Sequence, residues 1–234
     1  MTTKKQIKAL FGRLIARNDD LAVSGRFVIV KPLRHVLRSI SIDRSWDADY
    51  PRFYWHIGHA FSPSARLQGL CLGNFWIPRE RPDHWSQPGF AEAAIDMIEQ
   101  QVLPMLRRVQ TIEDMFHVEG VPRSAEYDNS LRLYEPHQMH MHAAFGRLDE
   151  ARAIYERTKD WYLNLKFFRR WDFEKASQLG ALTATGDRRA VAALLHQWEE
   201  EFVARAGLGA IYERTPFPLE SGPMEGAPLT PPPA

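Results

Sequence analysis

The sequence is poor in cysteine and has no long apolar run. Its single cysteine, Cys71, excludes a disulfide framework and a cysteine-based zinc site. No apolar stretch approaches the roughly 20 residues that a membrane-spanning helix needs. The first residues, Met-Thr-Thr-Lys-Lys-Gln, also lack the apolar core of a signal peptide. We therefore expect a cytoplasmic protein that does not associate with membranes.

Motifs that mark the common enzyme classes are missing too. There is no phosphate loop ending in Gly-Lys-Ser/Thr, no Gly-x-Gly-x-x-Gly after a predicted strand, no Gly-x-Ser-x-Gly elbow and no His-Glu-x-x-His. These absences favour a non-catalytic protein, and no cofactor is predicted. An unusual enzyme class remains open.

The formal charge is nearly balanced, at +1, but its distribution along the chain is uneven. Residues 1–52 contain eleven Lys or Arg and five acidic residues, a net +6, which leaves −5 for the remainder. A basic first quarter can contact phosphate or an acidic partner. The alternative is that two oppositely charged regions of the chain pack against each other.

Hydrophobic periodicity divides residues 1–117 into two helices and the strands between them. An amphipathic stripe predicts a helix over 3–17, and a second helix spans 90–109 with a kink or break at Pro104. Short polar links separate four predicted strands: 26–31, 34–44, 53–61 and 69–77. The fold class is therefore α+β, with an antiparallel four-stranded sheet whose inner face is covered by helices.

The chain from 130 to 206 is predicted to form helical hairpins that pack on this sheet domain. Phe217 and Leu219 follow them and are apolar enough to dock on the core. Residues 221–234 are rich in proline and glycine, cannot bury enough apolar surface to fold, and are predicted to be disordered.

Two glycines, Gly146 and Gly186, interrupt the helical pattern forty residues apart. The sequence Gly-x-x-x-Glu-Ala-x-x-x-Tyr that begins at Gly146 resembles the turn and second helix of a tetratricopeptide-type repeat. Residues 136–203 thus resemble a pair of such hairpins, although the family's period is about 34 residues. The resemblance implies a groove that binds peptides.

The outer face of the sheet is the first candidate binding surface. Tyr54 and His56 alternate with the apolar side chains of the third predicted strand, and three basic residues are expected beside them: Arg34, Arg38 and Arg52. Interleaved aromatic and basic groups are typical of protein interfaces and of single-strand nucleic-acid binders. The same pattern also arises where hairpins simply pack on that face. We predict a protein-binding module of bacterial type, adaptor or immunity-like, with single-strand nucleic-acid binding as an alternative.

A third possibility is a metal-dependent enzyme, because three of the nine histidines lie close together. His137 and His140 are three residues apart in a predicted helix, so both can reach one ion. His142 lies about 200° from His140 around the helix and points away. A catalytic zinc usually has three protein ligands, and the third would come from Glu135, His117 or His84.

Overall fold

The computed structural model describes residues 2–44, 47, 49–62, 67, 71–78, 80–117, 135–164 and 170–221. The strands are β1 (Leu21–Ser24), β2 (Phe27–Val30), β3 (Val36–Arg44), β4 (Pro51–His59) and β5 (Cys71–Phe75). The α-helices are α1 (Lys4–Arg17), α2 (Phe90–Met97), α3 (Leu103–Arg108), α4 (Glu135–Ala144), α5 (Leu148–Asn164), α6 (Arg170–Thr185) and α7 (Arg188–Ala206). A π-helical segment, Ile98–Val102, joins α2 to α3, and 3-10 helices lie at Asp114–His117, Gly209–Ile211 and Pro218–Glu220.

The five strands form one antiparallel sheet in which the strand order follows the chain from β1 to β5. The predicted α+β class and antiparallel sheet are therefore confirmed, with five strands instead of four. The additional strand, β1, pairs with β2 across a tight turn at Gly25, whose φ of +60° favours glycine. Periodicity missed β1 because only Leu21 of its four side chains is buried.

The inner face of the sheet packs against α1, α2 and α3. A capping box starts α1, since the Thr3 hydroxyl accepts from the Gln6 amide and the Gln6 side chain accepts from the Thr3 amide. The predicted break near Pro104 is present as the π-helical segment, because proline lacks an amide hydrogen and crowds the preceding turn. Trp55 lies across Gly73 of the neighbouring strand, where a Cβ atom would come within 2.2 Å of the indole ring.

Helices α4 to α7 form two helix–glycine–helix units. Gly146 and Gly186 sit at the turns with φ of +76° and +71°, the left-handed conformation in which helices often end. Arg188 at the start of α7 donates to the carbonyls of Gly146 (3.2 Å) and Leu219 (2.7 Å). Buried side chains of all four helices belong to the same apolar core as the inner face of the sheet. Among the described residues, no helix is long and apolar enough to cross a membrane.

The outer face of the sheet is covered in part by the end of α7 and the segment that follows it. A second apolar cluster forms there from these side chains: Phe27, Ile29, Leu33, Leu37, Ala60, Phe202, Val203 and Leu208. The C-terminal segment then returns to the sheet region, where Leu33 and Tyr212 form a parallel bridge. Phe217 and Leu219 are fully buried, so their predicted docking is confirmed. The tail predicted from residue 221 lies, beyond Ser221 itself, outside the described residues.

Candidate functional site

The structure does not bring the five residues of the predicted outer surface together. The register of β3 and β4 pairs Arg38 with Ile57 and His56 with Ser39, which puts Arg38 and His56 on opposite faces of the sheet. Both side chains are buried. The predicted surface is therefore divided, with Arg38 on the inner face and Arg52, Tyr54 and His56 on the outer face.

On the outer face, Tyr54 and His56 are partly or fully covered. His56 is 2% exposed, and its Nε2 lies 2.8 Å from the Ser41 hydroxyl. The Phe27 ring packs against it at 5.8 Å, and the half-buried Tyr54 stacks on it at 6.3 Å. Arg52 precedes Tyr54 by two residues on the same face and is half-buried. His56 is thus part of the packing here, and a ligand has access only to the neighbouring side chains.

The predicted metal pair is not assembled among the described side chains. His140 is 3% exposed and lies between the rings of His59 (5.7 Å) and Trp198 (5.6 Å). The side chain of His137 lies outside the described part of the chain. Burial lowers the pKa of His142 from its ordinary value. Within the described ranges, no group of three or more His, Cys, Asp or Glu side chains could hold a metal ion.

Arg34 and Arg38 do meet, at a pocket of about 300 Å³ between the β2–β3 connection and the end of α3. Its described walls contain four cations, one carboxylate, one amide and three apolar residues: Asp20, Val30, Lys31, Pro32, Arg34, Val36, Arg38, Arg107 and Gln110. We call this site the basic pocket. Only Arg34 and Arg38 of these residues belonged to the surface predicted from the sequence.

Arg38 is the buried cation of the basic pocket, at 5% exposure. Its Nη2 donates to the carbonyls of Pro32 (2.8 Å) and Val30 (3.4 Å). Its Nε is buried, and neither Nε nor Nη1 has a hydrogen-bond partner among the described residues. Burial lowers the pKa of the guanidinium and the nearby Arg34 charge lowers it further, but an arginine in a protein stays protonated.

The other charges of the basic pocket are compensated unequally. Arg107 donates to both carboxylate oxygens of Asp20 at 2.7 Å, and this pairing holds the pKa of Asp20 below its ordinary value. Arg34 pairs with the exposed Glu213 at 3.0 Å, outside the lining. Lys31 and Arg38 have no carboxylate within 4.0 Å in the described chain, and Asp20 acts on Arg38 only through space.

A second group of ionisable side chains is joined by hydrogen bonds and ion pairs, and we call it the His–Glu cluster: His35, His196, Glu199, Tyr212 and Glu220. Three of them, His35, His196 and Glu199, are buried. His35 donates from Nδ1 to the fully buried Glu199 at 3.1 Å, and the Tyr212 hydroxyl donates to it at 3.0 Å. Nδ1 of His196 lies 3.7 Å from Glu199, an ion-pair distance, and its Nε2 lies 2.9 Å from Glu220. Every carboxylate of this cluster faces at least one donor.

These contacts set the protonation of the His–Glu cluster. Burial opposes ionisation of Glu199, but its partners His196 and His35 outweigh that effect and hold its pKa below the ordinary value. Burial likewise opposes the charged form of His196, and the pairing with Glu199 and Glu220 nevertheless raises its pKa. Burial and the Glu199 charge raise the pKa of Tyr212, which therefore remains a donor.

No family model matches the chain, and no curated protein or solved structure matches it either. The interpretation of the basic pocket and of the His–Glu cluster therefore rests on their own chemistry.

Proposed function

We propose that this chain is a non-catalytic binding module that takes an acidic group of a protein partner into the basic pocket. The observation that carries the proposal is Arg38, a buried guanidinium without a carboxylate partner in the described chain. A buried charge is costly unless it is paired and hydrogen-bonded. An anion in the pocket would supply the missing partner.

The lining of the basic pocket supports binding rather than catalysis. The part of the lining that the structure describes contains no histidine, cysteine or hydroxyl side chain. Its one carboxylate, Asp20, is held ionised by Arg107 and is not available as a general acid. Four cations around a small cavity favour attraction and orientation of a negative group. A cytoplasmic location belongs to the same proposal.

The proposal is tested with fluorescein-labelled peptides that differ only in charge. A glutamate-rich peptide, a phosphoserine peptide and a neutral peptide are titrated by fluorescence anisotropy at low and high salt. Binding of the anionic peptides should weaken as salt rises, because exposed charges are screened within about 8 Å at physiological ionic strength. The neutral peptide should not bind.

A matched pair of arginine variants locates the site. Arg38→Met removes the buried charge and keeps an apolar chain of similar length, whereas Arg52→Met changes a half-buried arginine elsewhere on the sheet. Anionic peptides should lose binding only to Arg38→Met, with both variants shown to be folded by circular dichroism. If neither anionic peptide binds the parent protein, or if both variants bind equally well, the proposed function is wrong.

A further inference from the structure

We propose that the group bound in the basic pocket is a phosphate monoester dianion, presented by a phosphorylated side chain of the partner. This inference rests on the proposed function and narrows its ligand from any acidic group to one chemical class. It follows from the number of uncompensated charges, from the donors that remain free, and from the size and rigidity of the pocket.

Two cations of the basic pocket lack a close carboxylate in the described chain. Lys31 and Arg38 both line the cavity, and neither forms an ion pair within it. Arg107 is neutralised by Asp20 and Arg34 is paired with Glu213. A single carboxylate would leave one of the two positive charges uncompensated. A phosphate monoester carries close to two negative charges at pH 7 and would balance both.

The free donors also suit a tetrahedral group better than a planar one. Arg38 uses Nη2 for two carbonyls and keeps Nη1 unused. The Lys31 ammonium is a compact donor on a flexible stem, and a guanidinium and an ammonium together satisfy several phosphate oxygens at once. A phosphate offers three oxygens to them, whereas a carboxylate offers two.

The size of the cavity fits one phosphorylated side chain. Its volume of about 300 Å³ lies at the small end of the range of roughly 300–1,000 Å³ that is typical of ligand pockets. Val30, Pro32 and Val36 supply apolar wall beside the cations, against which a methylene group can pack. A ligand as large as a dinucleotide would extend well beyond these walls.

The backbone that carries Lys31 and Arg34 is held in place before any ligand arrives. The amide of Leu33 donates to the carbonyl of Ile211 (2.9 Å), and the amide of Glu213 donates to the carbonyl of Leu33 (2.9 Å). Lys31 lies two residues before Leu33, and Arg34 directly follows it. A fixed backbone leaves only the side chains to be ordered on binding, which lowers the free-energy cost of taking up a compact anion.

The test compares three peptides of one sequence that differ at a single position: phosphoserine, glutamate or serine. At constant ionic strength and pH 7.5 we expect the phosphoserine peptide to bind at least tenfold more tightly than the glutamate peptide, and the serine peptide not to bind. Arg38→Met and Lys31→Gln should each weaken binding of the phosphoserine peptide at least tenfold. Arg52→Met should leave its affinity unchanged.

Lowering the pH separates a dianion from a monoanion. Among the described side chains, the charged groups that face the pocket are Lys31, Arg34, Arg38, Arg107 and Asp20, with Asp114 and Glu213 nearby, and none of these is a histidine. Between pH 7.5 and 5.5 the phosphate therefore titrates, near its second pKa of about 6, and affinity for the phosphoserine peptide should fall. Inorganic sulfate, titrated as a competitor, stays dianionic and should compete equally at both pH values.

The outcomes distinguish this inference from the proposed function. Equal affinity for the glutamate and phosphoserine peptides overturns the phosphate assignment and leaves the binding module standing. Tight binding of inorganic phosphate or glycerol phosphate, without binding of the phosphoserine peptide, overturns the assignment to a phosphorylated protein. If none of the anionic probes binds, both proposals fall. Thermal melting of Arg38→Met and Lys31→Gln shows whether a lost affinity reflects a lost fold.

Discussion

One short segment, Lys31 to His35, contributes side chains to both the basic pocket and the His–Glu cluster. The two sites differ in whether their buried charge has a partner of opposite charge within the chain. In the His–Glu cluster, a fully buried carboxylate, Glu199, has three donors from the chain itself within ion-pair or hydrogen-bond distance. In the basic pocket, a buried guanidinium, Arg38, has two carbonyls and no carboxylate in the described chain. One site is internally balanced and the other is not.

The difference separates the structural role of the His–Glu cluster from the binding role that we propose for the basic pocket. The His–Glu cluster ties α7 to residues 209–221, because His35 reaches the Pro216 carbonyl (3.2 Å) and stacks on Phe217 (4.0 Å). Charges that are paired within the chain hold the C-terminal segment in place and need nothing from outside. An unbalanced buried charge at a cavity is the feature expected of a ligand site.

The largest expected effect comes from breaking the balance of the His–Glu cluster. Glu199→Gln keeps the shape of the side chain but removes its charge and replaces one acceptor oxygen with an NH2 donor, so that His35, His196 and Tyr212 lose their common anion. Removing one partner of a buried ionic group costs about 3–5 kcal/mol. We expect the free energy of unfolding in urea to fall by about 3 kcal/mol.

The control for this variant is a neighbour on the same helix. Glu200 pairs with Arg214 at 3.0 Å, but both side chains are exposed. Glu200→Gln should change the free energy of unfolding by less than about 1 kcal/mol, since exposed ion pairs contribute little. Similar losses for Glu199→Gln and Glu200→Gln would show that the cluster does not support the fold in the way its geometry indicates.

Sequence periodicity was enough to predict the sheet but not the site built on it. Strand β2 was predicted from a β-branched run, and β3 and β4 were predicted from the alternation of their side chains. The same alternation places Arg38 on the inner face, together with Val36 and Ile40. The predicted position of Arg38 beside His56 therefore conflicted with the alternation of its own strand. The register then decides that Arg38 faces α3 and the basic pocket.

Neither group of charges could be assembled from sequence spacing. Asp20 and Arg107 meet across 87 positions, and His35 and Glu199 meet across 164. Such pairs depend on how α3 and α7 dock on the sheet, which short-range patterns do not specify. The sequence did show the excess of positive charge in residues 1–52, and Lys31, Arg34 and Arg38 are part of that excess.

A smaller effect is expected from titrating the His–Glu cluster. His196 has a pKa above its ordinary value of 6.5, so its contribution to stability is complete below pH 6.5 and is lost as pH rises through the folded-state value. Glu199 and Glu220 have lowered pKa values, so their contribution is present above pH 4.5 and is lost as pH falls through the folded-state values. The cluster therefore contributes most between pH 4.5 and 6.5.

The measurement is the midpoint of urea unfolding from pH 4 to pH 9, compared between the parent protein and His196→Gln. The parent should lose more stability above pH 6.5 than the variant. His142 acts with the opposite sign, because its lowered pKa adds stability as pH rises, and it is present in both proteins. Identical profiles above pH 6.5 would mean that His196 is not charged in the folded protein.

The smallest predicted effect tests whether the missing negative charge sets the anion affinity that we propose for the basic pocket. Arg34 lines the pocket but is partly neutralised by Glu213, whose Oε2 accepts from its Nε (3.1 Å) and Nη2 (3.0 Å). Because this pair is exposed, Glu213→Gln should change the free energy of unfolding by less than about 1 kcal/mol. It should nevertheless tighten binding of the phosphoserine peptide by about threefold, because Arg34 then becomes a third cation that is available to the ligand. The effect is small because solvent and salt screen charges near the surface. The same substitution should leave the urea profile of the His–Glu cluster unchanged. Weaker peptide binding to Glu213→Gln would show that the pair serves to position Arg34, and that the balance of charge does not set the affinity of the pocket.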